Sequence, residues 1–103
     1  MHGIKGIATV MLLMLAMASA LSAQESSVLL EKAIYSEETL GNLSEAINIY
    51  QQIVGKADTN RSTAALALYR LGMCYRKSGK EGEARAAFGR LLQQYPEQKR
   101  NGA

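Results

Sequence analysis

The chain has few of the residues that form disulfides, metal centres and catalytic bases. Its 103 residues include one cysteine, one histidine, one proline and no tryptophan. Because Cys74 has no second cysteine to pair with, no intramolecular disulfide can form. With His2 near the start of the chain and no other histidine, a zinc or haem site has too few ligands. The sequence therefore predicts no catalytic residue, no cofactor and no metal.

The first 23 residues have the composition of a secretory signal peptide. Lys5 precedes the apolar run 7–17, and small residues fill 18–23 up to two candidate cleavage sites, after Ala20 and after Ala23. The second, which makes Gln24 the new N-terminus, is slightly preferred. An uncleaved membrane anchor is the alternative, although the apolar run is shorter than the roughly 20 residues that span a bilayer. We expect export to the periplasm or cell envelope.

Two runs with helical spacing follow each other between residues 68 and 96. Apolar or small residues recur at i, i+3, i+4 and i+7 in the first run and at i, i+4, i+7 and i+11 in the second: Leu68, Leu71, Gly72 and Tyr75, then Ala84, Phe88, Leu91 and Tyr95. Residues 78–80 interrupt the pattern, and Pro96 stands where the second helix must stop. The spacing predicts two antiparallel helices.

Six residues reproduce the pattern L-G-x-x-Y…A-x-x-x-F…P: Leu71, Gly72, Tyr75, Ala84, Phe88 and Pro96. The segment resembles a tetratricopeptide repeat, a family that often has tryptophan at the position of Leu68. A generic helical hairpin is the alternative. Small residues at 72 and 84 let the helices approach closely, and the rings of Tyr75 and Phe88 fill the space beside them. The resemblance implies an all-α fold, in which helical hairpins stack as a short α-solenoid of about two repeats.

Residues 24–58 read as a weaker first repeat, and residues 59–98 as the clear second one. Asn42 and Glu45 are spaced as a capping box at the start of a helix. The pair Ala46 and Tyr50 has the same spacing as the pair Ala84 and Phe88. The two pairs are separated by more than the family period of about 34 residues, so the extra residues should lie in 55–62. Ile34 and Glu37 stand where the second repeat has Gly72 and Tyr75, which predicts a wider spacing or different tilt of the first helix.

Two repeats make a short stack. Repeats are stable because neighbours cover each other, so the outer side of the last helix, including Ala87, Leu91 and Leu92, is expected to lack cover. Residues 99–103 form a polar tail that is too short to supply it. The chain would then associate with itself or a partner through that end, or be the N-terminal piece of a longer array.

The resemblance also implies a groove that holds an extended peptide, lined by the first helix of each repeat. The second repeat would contribute Tyr69, Arg70, Met73, Arg76 and Lys77, and the first repeat Glu31, Tyr35 and Glu38. Three cations and an aromatic ring favour an acidic segment or a terminal carboxylate as the ligand, with an ordinary solvated face as the alternative.

Charge is uneven along the chain, although the formal net charge is only +3. Between residues 24 and 58 six acidic residues accompany two lysines, and from residue 59 onward nine basic residues accompany three acidic ones. Complementary halves favour head-to-tail contact between copies, and solvated helix faces explain them equally well. So small a net charge on an exported chain argues against nucleic-acid binding.

These observations favour a non-enzymatic protein-interaction module or scaffold, exported to the cell envelope. The alternative is the leading fragment of a larger exported protein or enzyme whose chemistry lies downstream. Cys74 is expected to be a buried small apolar residue, with a reactive thiol as the minor alternative.

Overall fold

The structure is a computed structural model that describes residues 25–56 and 59–97. These residues form four helices and no strand: α1 (25–38), α2 (Leu43–Gly55), α3 (Arg61–Lys77) and α4 (Glu81–Gln94). The predicted all-α fold is confirmed. The expected signal peptide at 1–23 and the polar tail at 99–103 lie outside the described residues.

Side-chain caps start the two middle helices. Asn42 Oδ1 accepts a hydrogen bond from the Glu45 backbone N–H at 3.1 Å, and Asn42 Nδ2 donates to Glu45 Oε2 at 3.3 Å. The predicted cap is therefore present at the start of α2, but Glu45 accepts from the Asn42 side chain and not from its backbone N–H, which donates to the Ser36 carbonyl. Asn60 caps α3 in the same way, accepting from the Thr63 N–H at 2.8 Å.

Glycines in the left-handed conformation close each hairpin. Gly41, with φ 65°, lies between α1 and α2, and Gly79, with φ 79°, lies between α3 and α4. At the second turn the Lys80 N–H donates to the Tyr75 carbonyl at 2.8 Å, which caps the end of α3. Because glycine adopts this backbone without steric cost, the chain reverses direction within three or four residues between the two helices of each hairpin.

The second hairpin is held by the close approach of α3 and α4 at Gly72. A Cβ atom at this position would lie 2.5 Å from Cε1 of Phe88, so the ring occupies the space that a side chain would need. Ala84 is buried on α4, and Tyr75 is half-buried with its hydroxyl accepting from Gln51 Nε2 of α2 at 2.6 Å. The close approach of the two helices at Gly72 and Phe88 agrees with the prediction.

The core runs through all four helices. α3 packs against both α2 and α4, and Ala33 joins the same core from α1. Its largest fully buried apolar side chains are Tyr50, Ile53, Leu68 and Cys74. The expected burial of Cys74 is confirmed.

The expectation that Ala87, Leu91 and Leu92 all lack cover is wrong for two of the three. Ala87 is buried and Leu91 packs against the core, because both lie on the stripe of α4 that faces α3. Leu92 is 52% exposed, one helical position away from that stripe.

Candidate functional site

A buried carboxylate joins the two hairpins. Glu37, near the end of α1, is 8% exposed, and Tyr50 on α2 donates its hydroxyl to Glu37 Oε1 at 2.7 Å. From α3, Lys77 Nζ donates to Glu37 Oε2 at 2.9 Å, and Arg70 Nη1 lies 3.4 Å from Oε1. These four residues, Glu37, Tyr50, Arg70 and Lys77, form what we name the Glu37 cluster.

The Glu37 cluster keeps its carboxylate ionised. Burial alone would raise the pKa of Glu37, but the hydrogen bonds from Lys77 and Tyr50 and the charges of Lys77 and Arg70 outweigh burial and leave that pKa below its ordinary value. The same contacts raise the pKa of Lys77, chiefly through its hydrogen bond to Glu37. A buried charge with this many partners fixes α1 relative to α3.

The buried thiol of Cys74 lies beside this cluster. Burial, followed by the negative charge of Glu37, raises the pKa of the Cys74 thiol to about 11. A thiol with so high a pKa stays protonated and unreactive at neutral pH. The structure therefore favours the structural interpretation of Cys74 over the reactive one.

The structure divides the five residues predicted to bind a partner into two groups. Arg70 and Lys77 are engaged by acids of α1, since Arg70 Nη1 also donates to Glu38 Oε1 at 3.0 Å. The other three, Tyr69, Met73 and Arg76, are exposed or half-buried, and among the described residues Arg76 makes no ion pair. Two of the three predicted cations therefore connect the hairpins.

Exposed apolar side chains flank the ion pair between Arg70 and Glu38. On α3, Leu66 and Met73 lie four positions before and three positions after Arg70, so they share its side of the helix. On α1, Tyr35 lies three positions before Glu38, and Val28 lies seven residues, about two helical turns, before Tyr35. We name Val28, Tyr35, Leu66 and Met73 the inner face; the first three are 61%, 54% and 40% exposed.

Tyr69 borders this face on the side toward α4. Its ring centroid is 6.1 Å from that of Phe88, with the planes tilted by 48°. Half of Tyr69 stays exposed, so its ring extends the apolar surface from the inner face toward α4. Glu31, the remaining predicted residue of the first repeat, is exposed on α1.

A cleft of about 330 Å³ lies on the opposite side of α3, between α2 and α4. Its floor is apolar and its rim carries polar and charged groups: Leu68, Leu71 and Tyr75 below, Gln51, Glu83 and Arg90 above. The rim brings together charges of both signs.

The second hairpin, with its close contact at Gly72, matches a known family of helical repeats. The family model described as tetratricopeptide repeat matches residues 66–97, which cover most of α3, all of α4 and Pro96. Residues 66–97 are therefore similar to a tetratricopeptide repeat. The chain matches no curated protein and no solved structure.

Tetratricopeptide repeats are typical of protein-interaction modules and are generally non-catalytic. Within residues 25–56 and 59–97, histidine, cysteine and carboxylate side chains do not gather in any group of three that could hold a metal ion. No helix in this part of the chain is both long and apolar enough to cross a membrane.

Sequence reasoning missed Glu37, Val28 and Leu66. In the sequence, Glu37 stands out only because the second repeat has the aromatic residue Tyr75 at that position. An acid on the apolar side of a helix is nevertheless itself a sign of a buried partner. Val28 and Leu66 precede Tyr35 and Met73 by seven residues, a spacing that marks a second apolar stripe on each helix.

Proposed function

We propose that the chain is a non-enzymatic protein-interaction module that holds a peptide segment of a partner protein against its inner face. The observation that supports this most is the placement of exposed apolar side chains on α1 and α3, beside the charged groups that join these helices. Large exposed apolar residues on neighbouring elements are typical of docking surfaces. The Glu37 cluster holds the two helices ready for binding, which lowers the ordering cost of association.

Site-specific photocrosslinking tests this proposal in the producing cell. A photoreactive phenylalanine analogue replaces Tyr35, on the inner face, and a matched variant carries it in place of Gln93, an exposed position of α4. We expect a defined protein adduct from position 35 and not from position 93. The same adducts at both positions, or none at position 35, would contradict the proposal.

We also propose export to the periplasm or cell envelope. The composition of residues 1–23 supports it, with Lys5 before the apolar run and small residues around the two candidate cleavage sites. Expression of the full chain in a bacterium, followed by intact mass measurement, checks this proposal. A mature N-terminus at Leu21 or Gln24 is the expected result, and an N-terminus at Met1 in a chain recovered from the cytoplasm would contradict it.

Self-association is a second candidate for the partner, through the outer side of α4. Leu92 supports it, because this large apolar side chain is 52% exposed on α4, outside the stripe that packs against α3. Light scattering over a range of concentrations measures it: a dimer that the Leu92→Ser variant abolishes is expected, and a monomer at all concentrations would remove this candidate.

A further inference from the structure

The acids of α1 engage two of the cations that the sequence places on α3. Arg70 lies 3.0 Å from Glu38 and 3.4 Å from Glu37, and Lys77 lies 2.9 Å from Glu37. With the exposed Arg76, Lys32 and Glu31, the surface around the inner face carries four positive and three negative side chains. An acidic ligand would therefore meet only a weak net attraction there.

An acidic segment would also have to compete with a buried group. Glu37 has a side chain that is only 4% exposed, so it cannot regain water if Lys77 or Arg70 turns toward a ligand. Breaking a buried ion pair leaves an uncompensated charge, which is strongly unfavourable. The two cations thus stay with Glu37 when a ligand binds.

The apolar positions of the inner face repeat at one interval. Val28 and Leu66 are separated by the same number of residues as Tyr35 and Met73, so each helix offers an upper and a lower apolar position. Packed helices lie about 8–10 Å apart. In an extended chain alternate side chains on one face are about 7 Å apart, so a segment that crosses from α1 to α3 can place one side chain against each helix.

We infer that the inner face takes an extended, uncharged segment of a partner protein whose alternate side chains are apolar, rather than an acidic one. This inference rests on the proposed function, since it names the chemistry of the ligand that the same surface holds. Specificity comes from apolar contact with Leu66 and Tyr35, while the Glu37 cluster withholds its two cations from acidic competitors.

Two labelled peptides test the inference with the purified full chain. Both have eight residues, blocked termini and a fluorescein label; one alternates serine with leucine and the other serine with aspartate. Fluorescence anisotropy measures their binding. We expect the leucine peptide to bind more tightly than the aspartate peptide, with an affinity that changes little between low and high salt.

The Leu66→Ser variant and its matched control Leu40→Ser locate the binding. Both leucines are exposed, but Leu66 belongs to the inner face and Leu40 lies in the turn between α1 and α2. We expect Leu66→Ser to weaken binding of the leucine peptide by about fivefold to tenfold, and Leu40→Ser to leave it unchanged, with both variants equally helical by circular dichroism.

Four outcomes overturn the inference and separate it from the proposed function. Tighter binding of the aspartate peptide, weakened by Leu66→Ser, would overturn the ligand chemistry and keep the docking surface. Equal weakening by both leucine variants, or a dimer that dissociates only in Leu66→Ser, would mean that another surface or a second copy occupies the site. Binding of neither peptide would overturn the ligand chemistry, while the adduct at position 35 would still decide the proposed function.

Discussion

At the scale of single residues, Gly72 and Glu37 determine how the helices fit together. The first is defined by the absence of a side chain, because the Phe88 ring fills the space beside its Cα atom. The second is a charge held inside the fold by partners on two other helices. Each position permits a substitution with a definite expected result.

Replacing Gly72 with alanine should destabilise the fold by about 1–3 kcal/mol, because the added methyl group overlaps the Phe88 ring. Urea unfolding followed by circular dichroism measures the change. Gly89→Ala is the matched control: no atom lies within 4 Å of its added methyl group, so the higher helix propensity of alanine should stabilise α4 by about 0.5–1 kcal/mol. Equal effects of the two substitutions would contradict the close approach at Gly72.

Replacing Glu37 with glutamine should lower the free energy of unfolding by about 1–3 kcal/mol at neutral pH, because Lys77 and Arg70 lose their charged partner. Glu38→Gln, which removes an exposed carboxylate with a single ion pair, should cost less than about 1 kcal/mol. Chemical unfolding of both variants beside the parent chain provides the comparison. Equal, small losses would show that the buried contacts of Glu37 contribute nothing beyond a surface pair.

The pH dependence of stability provides a second measurement on Glu37. Its pKa in the folded chain lies below the ordinary value of 4.5, so its stabilising contribution is fully present above pH 4.5 and is lost as the pH falls through the folded pKa. The parent chain should therefore lose more stability than Glu37→Gln between neutral pH and about pH 3. Thermal unfolding across this range measures the difference, and parallel curves would contradict it.

At the scale of helices, the sequence was sufficient to predict the second hairpin and the start of α2. The interval between Leu71 and Tyr75 and that between Ala84 and Phe88 predicted the second hairpin, since both reflect the helical period. Asn42 predicted the start of α2 because a cap depends on residues that are close in sequence. Ala87 was placed wrongly, because periodicity alone leaves open how wide the covered stripe of a helix is.

The caps provide a prediction at this scale. Asn42→Ala should destabilise the chain by about 1 kcal/mol, because the Glu45 N–H loses its acceptor at the start of α2. Lys80→Ala is the control at the corresponding position of α4, where the side chain makes no capping hydrogen bond, and it should change stability little. Unfolding midpoints in urea compare the two, and a loss at Lys80 as large as that at Asn42 would contradict the capping account.

At the scale of the whole molecule, the arrangement of charge differs from what the sequence predicts. Separate acidic and basic halves favoured contact between copies, but Glu37 pairs within the chain with Lys77, 40 residues further along. A pairing over this distance depends on how two hairpins stack, which no local spacing encodes. The groove residues were predicted by resemblance alone, so the engagement of Arg70 by α1 could not be anticipated.

The central claim is that the surface shared by α1 and α3 is where a partner segment docks. A nitrogen-15-labelled sample of the chain, titrated with the serine and leucine peptide and followed by amide chemical shifts, tests it most directly. The account predicts that the shifts change along α1 and α3 around Tyr35 and Leu66, and that α4 beyond Gly89 stays unchanged. Changes confined to the cleft between α2 and α4, or none at saturating peptide, would contradict it.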